Sequence, residues 1–397
     1  MLTLLLVAHA ATWSSTYPEP VEVPPFDDAG GLSQPPAPHW SVQLPGGVIK
    51  AASHTELVRP VILETSILVG SSSGAALYML DRRNGVLIRS FPAHASVESA
   101  PAVVEDRVLF ADTGGTVWCY QLDGELLWSF ETKAPVLAAP AVADGRVFVS
   151  NVDDLVVALS LADGALIWRY QERPDLTRAG ELGLYAAPQP VLARGELLVG
   201  FSDGALVSLD PADGDVAWLL RVGEGKYPDI VASPASDGDD LVFVSGYFEP
   251  TVALDLDSRK VRWTAEFGAA ASARVVQDGE RRLMVHPGTD GKLRAFDTVT
   301  GDPAWTWDSL TDGSLTAPEP TDLGLLVGST AGTLTLLDPH DGSERWHYEP
   351  LRILDGVSSA PAVRGRQIVF VTNAGRLYSM VAPRPERVWA GVSSWDI

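Results

Sequence analysis

A phrase of about forty residues recurs down this chain and limits its fold more than any other feature. Each copy opens on a small residue and Pro, runs through an apolar strand, and passes a turn containing Gly or Asp. A second alternating strand then leads to Asp-x-x-x-Gly and, shortly after, Trp. The clearest copies are SAPAVVEDRVLFADTGGTVWCYQLDGELLWSF from Ser99, AAPAVADGRVFVSNVDDLVVALSLADGALIWRY from Ala138 and TAPEPTDLGLLVGSTAGTLTLLDPHDGSERWHY from Thr316. Others begin near Ala187 and Ser233, and a degraded copy near Ser272 has Arg274 where Pro is expected. The earliest opens at Arg59-Pro60 with Ile88 at the Trp position, and the last at Ser359-Ala360-Pro361, which makes eight openings.

The spacing of the Trp marker supports the same division. Trp128, Trp168, Trp218, Trp263, Trp305 and Trp346 follow one another at intervals of 40, 50, 45, 42 and 41 residues. Repeats of this length that each hold several short strands indicate propeller blades. Leu206–Leu209 and Leu334–Leu337 lie in runs that alternate with period two, which excludes a helical solenoid. The expected fold is an all-β, eight-bladed β-propeller of four-stranded antiparallel blades, closed by an N-terminal strand.

The recurring acids have a structural reason. In Asp210-Pro211-Ala212-Asp213-Gly214 the first Asp accepts backbone hydrogen bonds at the turn, and the Gly takes positive φ without a side-chain clash. Asp297 with Gly301, Asp338 with Gly342, and Asn84 with Gly85 follow the same hairpin logic. These residues are turn formers rather than catalytic pairs. The Trp belongs to the last strand of each blade, where two blades bury its ring while its N–H finds an acceptor.

Closure has two candidates. Trp40-Ser41-Val42-Gln43-Leu44 would tie the amino end to the last blade, or Val388-Trp389 would complete it locally. Pro383 and Pro385 replace the usual turn before the second, and Trp40 has no other blade, so the first is favoured. The chain then divides into a candidate signal segment at 1–12, a Pro-rich tether at 13–39, the propeller at 40–381 and a tail at 382–397. The first segment, MLTLLLVAHAAT, is too short to span a bilayer as a helix and lacks a basic start, yet Ala8-His9-Ala10 has the form of a signal-peptidase site. An exported, periplasmic protein is the expectation, with no transmembrane span.

Composition narrows the chemistry. With 51 acidic against 29 basic residues the net charge is −22, a surface that repels a phosphate backbone, so no nucleic-acid partner is expected. Cys119 is alone in an apolar strand and reads as a small buried thiol. His9, His39, His54, His94, His286, His340 and His347 form no metal-ligand spacing, and no G-x-S-x-G elbow is present.

The phrase APAV-x-x-x-x-V-x-V/F-S followed by G-x-L-x-x-L-D-x-x-x-G-x-x-x-W resembles the pyrroloquinoline-quinone-like propeller repeat. Over residues 40–381 the chain is also similar to the BamB-like family of outer-membrane β-barrel assembly lipoproteins. That resemblance implies a non-enzymatic scaffold at the periplasmic face of the outer membrane, without cofactor or metal. Its partner would be an envelope protein, the periplasmic domains of the central assembly barrel protein. It also implies a partner surface with a Leu-x-Leu-Arg segment before the fourth-blade opening and an acidic loop before the next. Here Leu182 stands at the second Leu, Gly180 and Gly183 replace the first Leu and the Arg, and 223–229 keeps a loose acidic match. No cysteine follows the apolar start, so the sequence offers no lipidation site there. Quinone enzymes of the same superfamily carry adjacent cysteines and a calcium site, and Cys119 has no neighbouring cysteine. A small-ligand or glycan-binding propeller is the alternative, ahead of a quinone-dependent dehydrogenase.

An interaction face would be built from the long blade connections, 171–187, 221–232 and 349–358, which all emerge on one side of the ring. Apolar and aromatic residues in polar loops make the better anchors. The candidate partner-binding residues are Leu176, Leu182, Leu184, Tyr185, Tyr227 and Ile353, with Arg178 and Arg352 as hydrogen-bonding partners.

Overall fold

The Asp-x-x-x-Gly turns and the Trp residues prove to be two halves of one joint. In the computed structural model, Asp210 Oδ1 accepts the Ala212 N–H at 2.7 Å, and Gly214 N–H returns to the Asp210 carbonyl at 2.9 Å. Gly214 has φ +80°, and a Cβ built there would lie 2.7 Å from the Trp168 ring of the preceding blade. Glycine is therefore required twice, for the turn and for the ring resting on it. The same joint sets Trp128 on Gly164, Trp263 on Gly301, Trp305 on Gly342 and Trp40 on Gly85. Each indole N–H reaches a carbonyl of the next blade: Trp128 to Leu161 at 3.1 Å, Trp168 to Pro211 at 3.0 Å, Trp263 to Thr298 at 2.9 Å, and Trp305 to Pro339 at 2.9 Å.

The structure describes residues 21–22, 36–45, 58–172, 188–223, 228–269, 271–310, 313–321, 324–349 and 355–381. These form eight antiparallel blades. Blade 3, a representative one, runs from the channel outward as Ala141–Ala143, Arg146–Ser150, Leu155–Ser160 and Leu166–Gln171. Its outermost ladder carries a bulge before Trp168, and the same irregularity precedes Trp128 in blade 2 and Trp40 in blade 8. Each seam between blades has its own apolar core. Leu109 and Cys119 meet Val147 and Leu159 at one seam, and Phe148 and Trp168 meet Leu197 and Val207 at the next. Burial pushes the Cys119 thiol up to about 11, so it is inert, as a small core residue should be.

Closure follows Trp40. Ala37–Gln43 pairs antiparallel with Arg376–Val381 as the outer strand of blade 8, from Ala37 opposite Val381 to Gln43 opposite Arg376. The Trp40 N–H donates to the Arg82 carbonyl of blade 1 at 3.2 Å, and Leu44, Ile67, Val69 and Val369 share that seam's core. Val388 and Trp389 lie outside the described residues.

Two positions in the repeat need correction. Ile88 does not take the Trp place in blade 1, since it is 51% exposed. The bulge falls between Leu87 and Arg89, so Arg89 is the residue turned onto Gly124 of blade 2. Counting four places on from the turn Gly finds every Trp from Trp128 to Trp346 that follows such a Gly, and in blade 1 it finds Arg89. The second correction concerns the degraded opening. In seven blades a Pro directly precedes the innermost strand, as Pro101 precedes Ala102–Val104 and Pro140 precedes Ala141–Ala143. Counted back from the inner hairpin, Val275 rather than Arg274 occupies that place in blade 6.

Candidate functional site

The blade-to-blade connections leave the ring on the same side as the hairpins between second and third strands, because the two are hydrogen-bonded to each other. Glu172 N–H donates to the Asp154 carbonyl at 3.3 Å, Val222 N–H to Gly204 at 2.8 Å, and Val357 N–H to Ser329 at 2.9 Å. The described ends of all three long connections therefore share one face, as expected from each joining the outer strand of one blade to the inner strand of the next. Their tips are another matter: Leu176, Arg178, Leu182, Leu184, Tyr185, Tyr227, Arg352 and Ile353 all lie outside the described residues.

The roots of two connections are brought together. Asp154, held at φ +56°, accepts the Ser202 N–H at 3.1 Å and the Ser202 hydroxyl at 2.5 Å, which ties the blade 3 hairpin to that of blade 4. The Tyr170 hydroxyl donates to Glu172, and burial first, then that carboxylate, raises its pKa. The Ser150 hydroxyl holds the far end of 171–187 at the Pro188 carbonyl, 2.6 Å away. The second connection is fastened by Arg221 to Asp203 at 2.9 Å, by the buried Ile230, whose N–H reaches Phe201 at 3.2 Å, and by Asp229, whose carbonyl accepts the Tyr247 N–H at 2.9 Å. The third connection is rooted instead where Asp355 Oδ1 accepts the Ala374 N–H at 3.0 Å, between blades 7 and 8. That root is across the ring from blade 4.

Beside the paired roots stands a feature that pattern reading passed over. The blade 5 hairpin between Leu241–Ser245 and Thr251–Asp255 carries Tyr247 and Phe248 at its tip, where most other blades place small or polar residues. Phe248 is 62% exposed, and its ring meets Tyr247 edge-on at 4.4 Å. Leu310, 89% exposed at φ +54°, continues the apolar points toward blade 7. The departure of Gly246-Tyr247-Phe248-Glu249-Pro250 from the small-residue turns was the available signal.

The base of that hairpin rests on a buried histidine. His286 of blade 6 sets Nε2 2.7 Å from Thr251 Oγ1 and 3.2 Å from Ser245 Oγ, and Thr251 Oγ1 donates onward to the Phe267 carbonyl at 2.7 Å. Burial, reinforced by Arg294, pushes the imidazole down to about 4, so it is neutral at pH 7. The trio has hydroxyls beside an imidazole but no solvent access at His286, so its capacity is to brace the hairpin rather than to activate a nucleophile. Among the described residues no group of three or more His, Cys, Asp or Glu is placed to hold a metal ion.

With this geometry, comparison with known proteins assigns the family. A family model described as outer membrane protein assembly factor BamB matches residues 73–280 and 228–395. The chain belongs to the BamB family. A curated BamB from Kangiella koreensis is 26% identical over 146 residues, a stretch covering 36% of the chain and 36% of that relative. The crystal structure of BamB from Moraxella catarrhalis superposes with a TM-score of 0.71 at 17% identity, covering 86% of this chain and 98% of that one. A quinohemoprotein alcohol dehydrogenase from Pseudomonas putida gives 0.69 at 14% identity over 91% of this chain and 78% of its own. BamB-like and quinoprotein propellers thus share this ring, and the likeness to either structure is one of fold. No helix among the described residues is long and apolar enough to cross a membrane.

Proposed function

We propose that this BamB-family chain is a non-catalytic scaffold of the cell envelope, which docks a periplasmic domain of an outer-membrane β-barrel assembly protein on the connection face of blades 3 to 5. The observation that carries the reading is the stitched root Glu172–Asp154–Ser202, with the Tyr247–Phe248 tip next to it. Rigid roots lower the ordering cost of binding, and an exposed aromatic on a polar rim is the usual anchor of an interface. Family membership supports the partner class, and an exported, periplasmic location goes with it.

Affinity capture from a membrane-solubilised native extract tests the face. Wild type is compared with Phe248→Ala and with a Leu182→Ala, Tyr185→Ala, Tyr227→Ala triple variant. The expected outcome is selective loss of one captured assembly protein from both variants at unchanged thermal unfolding. Equal capture by all three proteins would remove the face from the reading, and absence of any assembly protein from the wild-type capture would remove the partner. Adding quinone and calcium to metal-stripped protein supplies the enzymatic control: stoichiometric retention would favour a dehydrogenase.

A further inference from the structure

Blade 6 differs from the other blades at its channel edge, independently of the docking face. Seven innermost strands are two or three residues long and directly follow a Pro, as in Val61–Ile62, Glu319–Thr321 and Ala362–Arg364. In blade 6 the strand is Arg274–Asp278, five residues, with no Pro before it. Asp278 faces Arg281 across the two-residue inner turn, so Arg274, Val276 and Asp278 bond outward to the second strand while Val275 and Gln277 turn their backbone groups to the channel. Elsewhere the proline nitrogen occupies the channel-facing place of Val275 and removes a donor from it. Only blade 6, among the described residues, offers the channel an edge of normal strand length. Unpaired edges of that kind are where strands add.

One strand does add there. Val21–Glu22 pairs parallel with blade 6, Val21 opposite Val276 and Glu22 opposite Gln277, making this sheet five-stranded. Ladder geometry then directs the Val21 N–H to the Val275 carbonyl and the Gln277 N–H to the Val21 carbonyl. The local sequence is Tyr17-Pro18-Glu19-Pro20-Val21-Glu22-Val23-Pro24-Pro25-Phe26, three residues with N–H groups bounded by prolines on both sides. Such a segment can pair only briefly, because the flanking prolines have no hydrogen to give. The span from Glu22 to the closing strand at Ala37 reaches at most about 50 Å when extended, enough to pass from rim to channel.

We propose that the channel edge of blade 6 is an acceptor for an added β-strand, that Val21–Glu22 is its resident occupant, and that the occupant is exchangeable. Tethering supplies that segment at an effective concentration in the millimolar range, so a contact too weak to persist between separate molecules holds within one. Any other extended segment using this edge has to displace it.

Amide hydrogen exchange at Gln277 reads the contact directly. The full chain is compared with a deletion of residues 1–30, which keeps the closing strand, and with full-length Val21→Pro, which removes the Val21 N–H that bonds to the Val275 carbonyl and substitutes no residue of a blade. Both variants are expected to exchange at Gln277 about tenfold faster or more than wild type, with the outward-bonded Val276 unchanged. Adding a peptide of residues 17–26 to the deleted protein at about 1 mM is expected to restore protection, and the same peptide with Val21→Pro to restore none. Equal Gln277 exchange in all three proteins would overturn the site. Protection in the full chain that the peptide cannot restore would overturn its exchangeability.

Discussion

The seam between blades 3 and 4 and the seam between blades 4 and 5 both dock a tryptophan, by opposite means. Trp168 lies flat on the bare backbone of Gly214 and gives its N–H to Pro211. Trp218 meets a blade 5 turn that carries Arg259, at φ +58°, in place of glycine. A guanidinium covers the ring, 5.2 Å from its centroid, and the indole N–H turns back into its own blade to Glu196 at 2.7 Å. Glu196 also accepts the Ser208 hydroxyl at 2.6 Å and pairs with Arg259. Burial alone would raise this carboxyl, but Ser208, Arg259 and Trp218 together hold it below its ordinary value. A glycine lets a ring sink into the seam, whereas a cation caps one that stays partly exposed. The charged cluster lies at the end of this seam away from the proposed docking face, since Glu196 opens the second strand of blade 4 and Arg259 sits in the turn before the last strand of blade 5.

The largest effect expected within this comparison is at the seam that closes the ring. Deleting residues 1–45 removes Trp40 and the whole strand Ala37–Gln43, and cooperative unfolding should be lost, while deleting residues 1–30 should leave the transition in place. Identical melting curves for the two deletions would show that closure does not depend on this joint.

Next come the two seams themselves. Trp168→Ala should cost about 3–5 kcal/mol in urea unfolding, as for other buried large aromatics. Glu196→Gln, which removes the carboxylate but leaves an acceptor for Trp218 and Ser208, should cost about 1 kcal/mol, with the loss shrinking in high salt. Matching losses would erase the distinction between glycine and cation.

The smallest effect belongs to the polar seam between blades 5 and 6. His286 is depressed to about 4 in the fold from an ordinary value of 6.5. Its contribution is therefore complete above pH 6.5 and is lost as the pH falls toward 4, because the unfolded chain takes up the proton first. Between pH 7.5 and 6 the loss should be about 0.8 kcal/mol, and His286→Gln should flatten that part of the stability profile. An unchanged profile in the variant would place the acid sensitivity elsewhere.

What the residues announce, and what they withhold, follows from the range of each interaction. Blade number and closure were legible because turns and ring-bearing strands are written locally, Gly214 and Trp218 within one hairpin and Trp40 as an unclaimed copy of the marker. The contact of Gly214 with Trp168 was not, because it joins successive repeats. Arg89 was missed for Ile88 because a bulge uses up one residue, and chemical similarity to Trp is a poorer guide than position after the turn. The role of His286 could not be read from spacing, since Ser245 and Thr251 reach it across a seam. Of the site, the shared face was readable because each connection joins an outer strand to the next inner strand, and the adjacency of blades 3 and 4 because the repeats follow one another. Phe248 was hidden by treating every hairpin as the same small turn.

Ring closure also sets an order in time. Gln43 bonds to the carbonyl of Ala374, 331 positions later. At about 5–20 residues per second, a ribosome needs roughly twenty seconds to a minute to make that interval. The first strand made is thus among the last to be seated, and Trp40 must wait without its blade while the rest of the ring is assembled. A newborn chain of this design is vulnerable chiefly through its oldest residues.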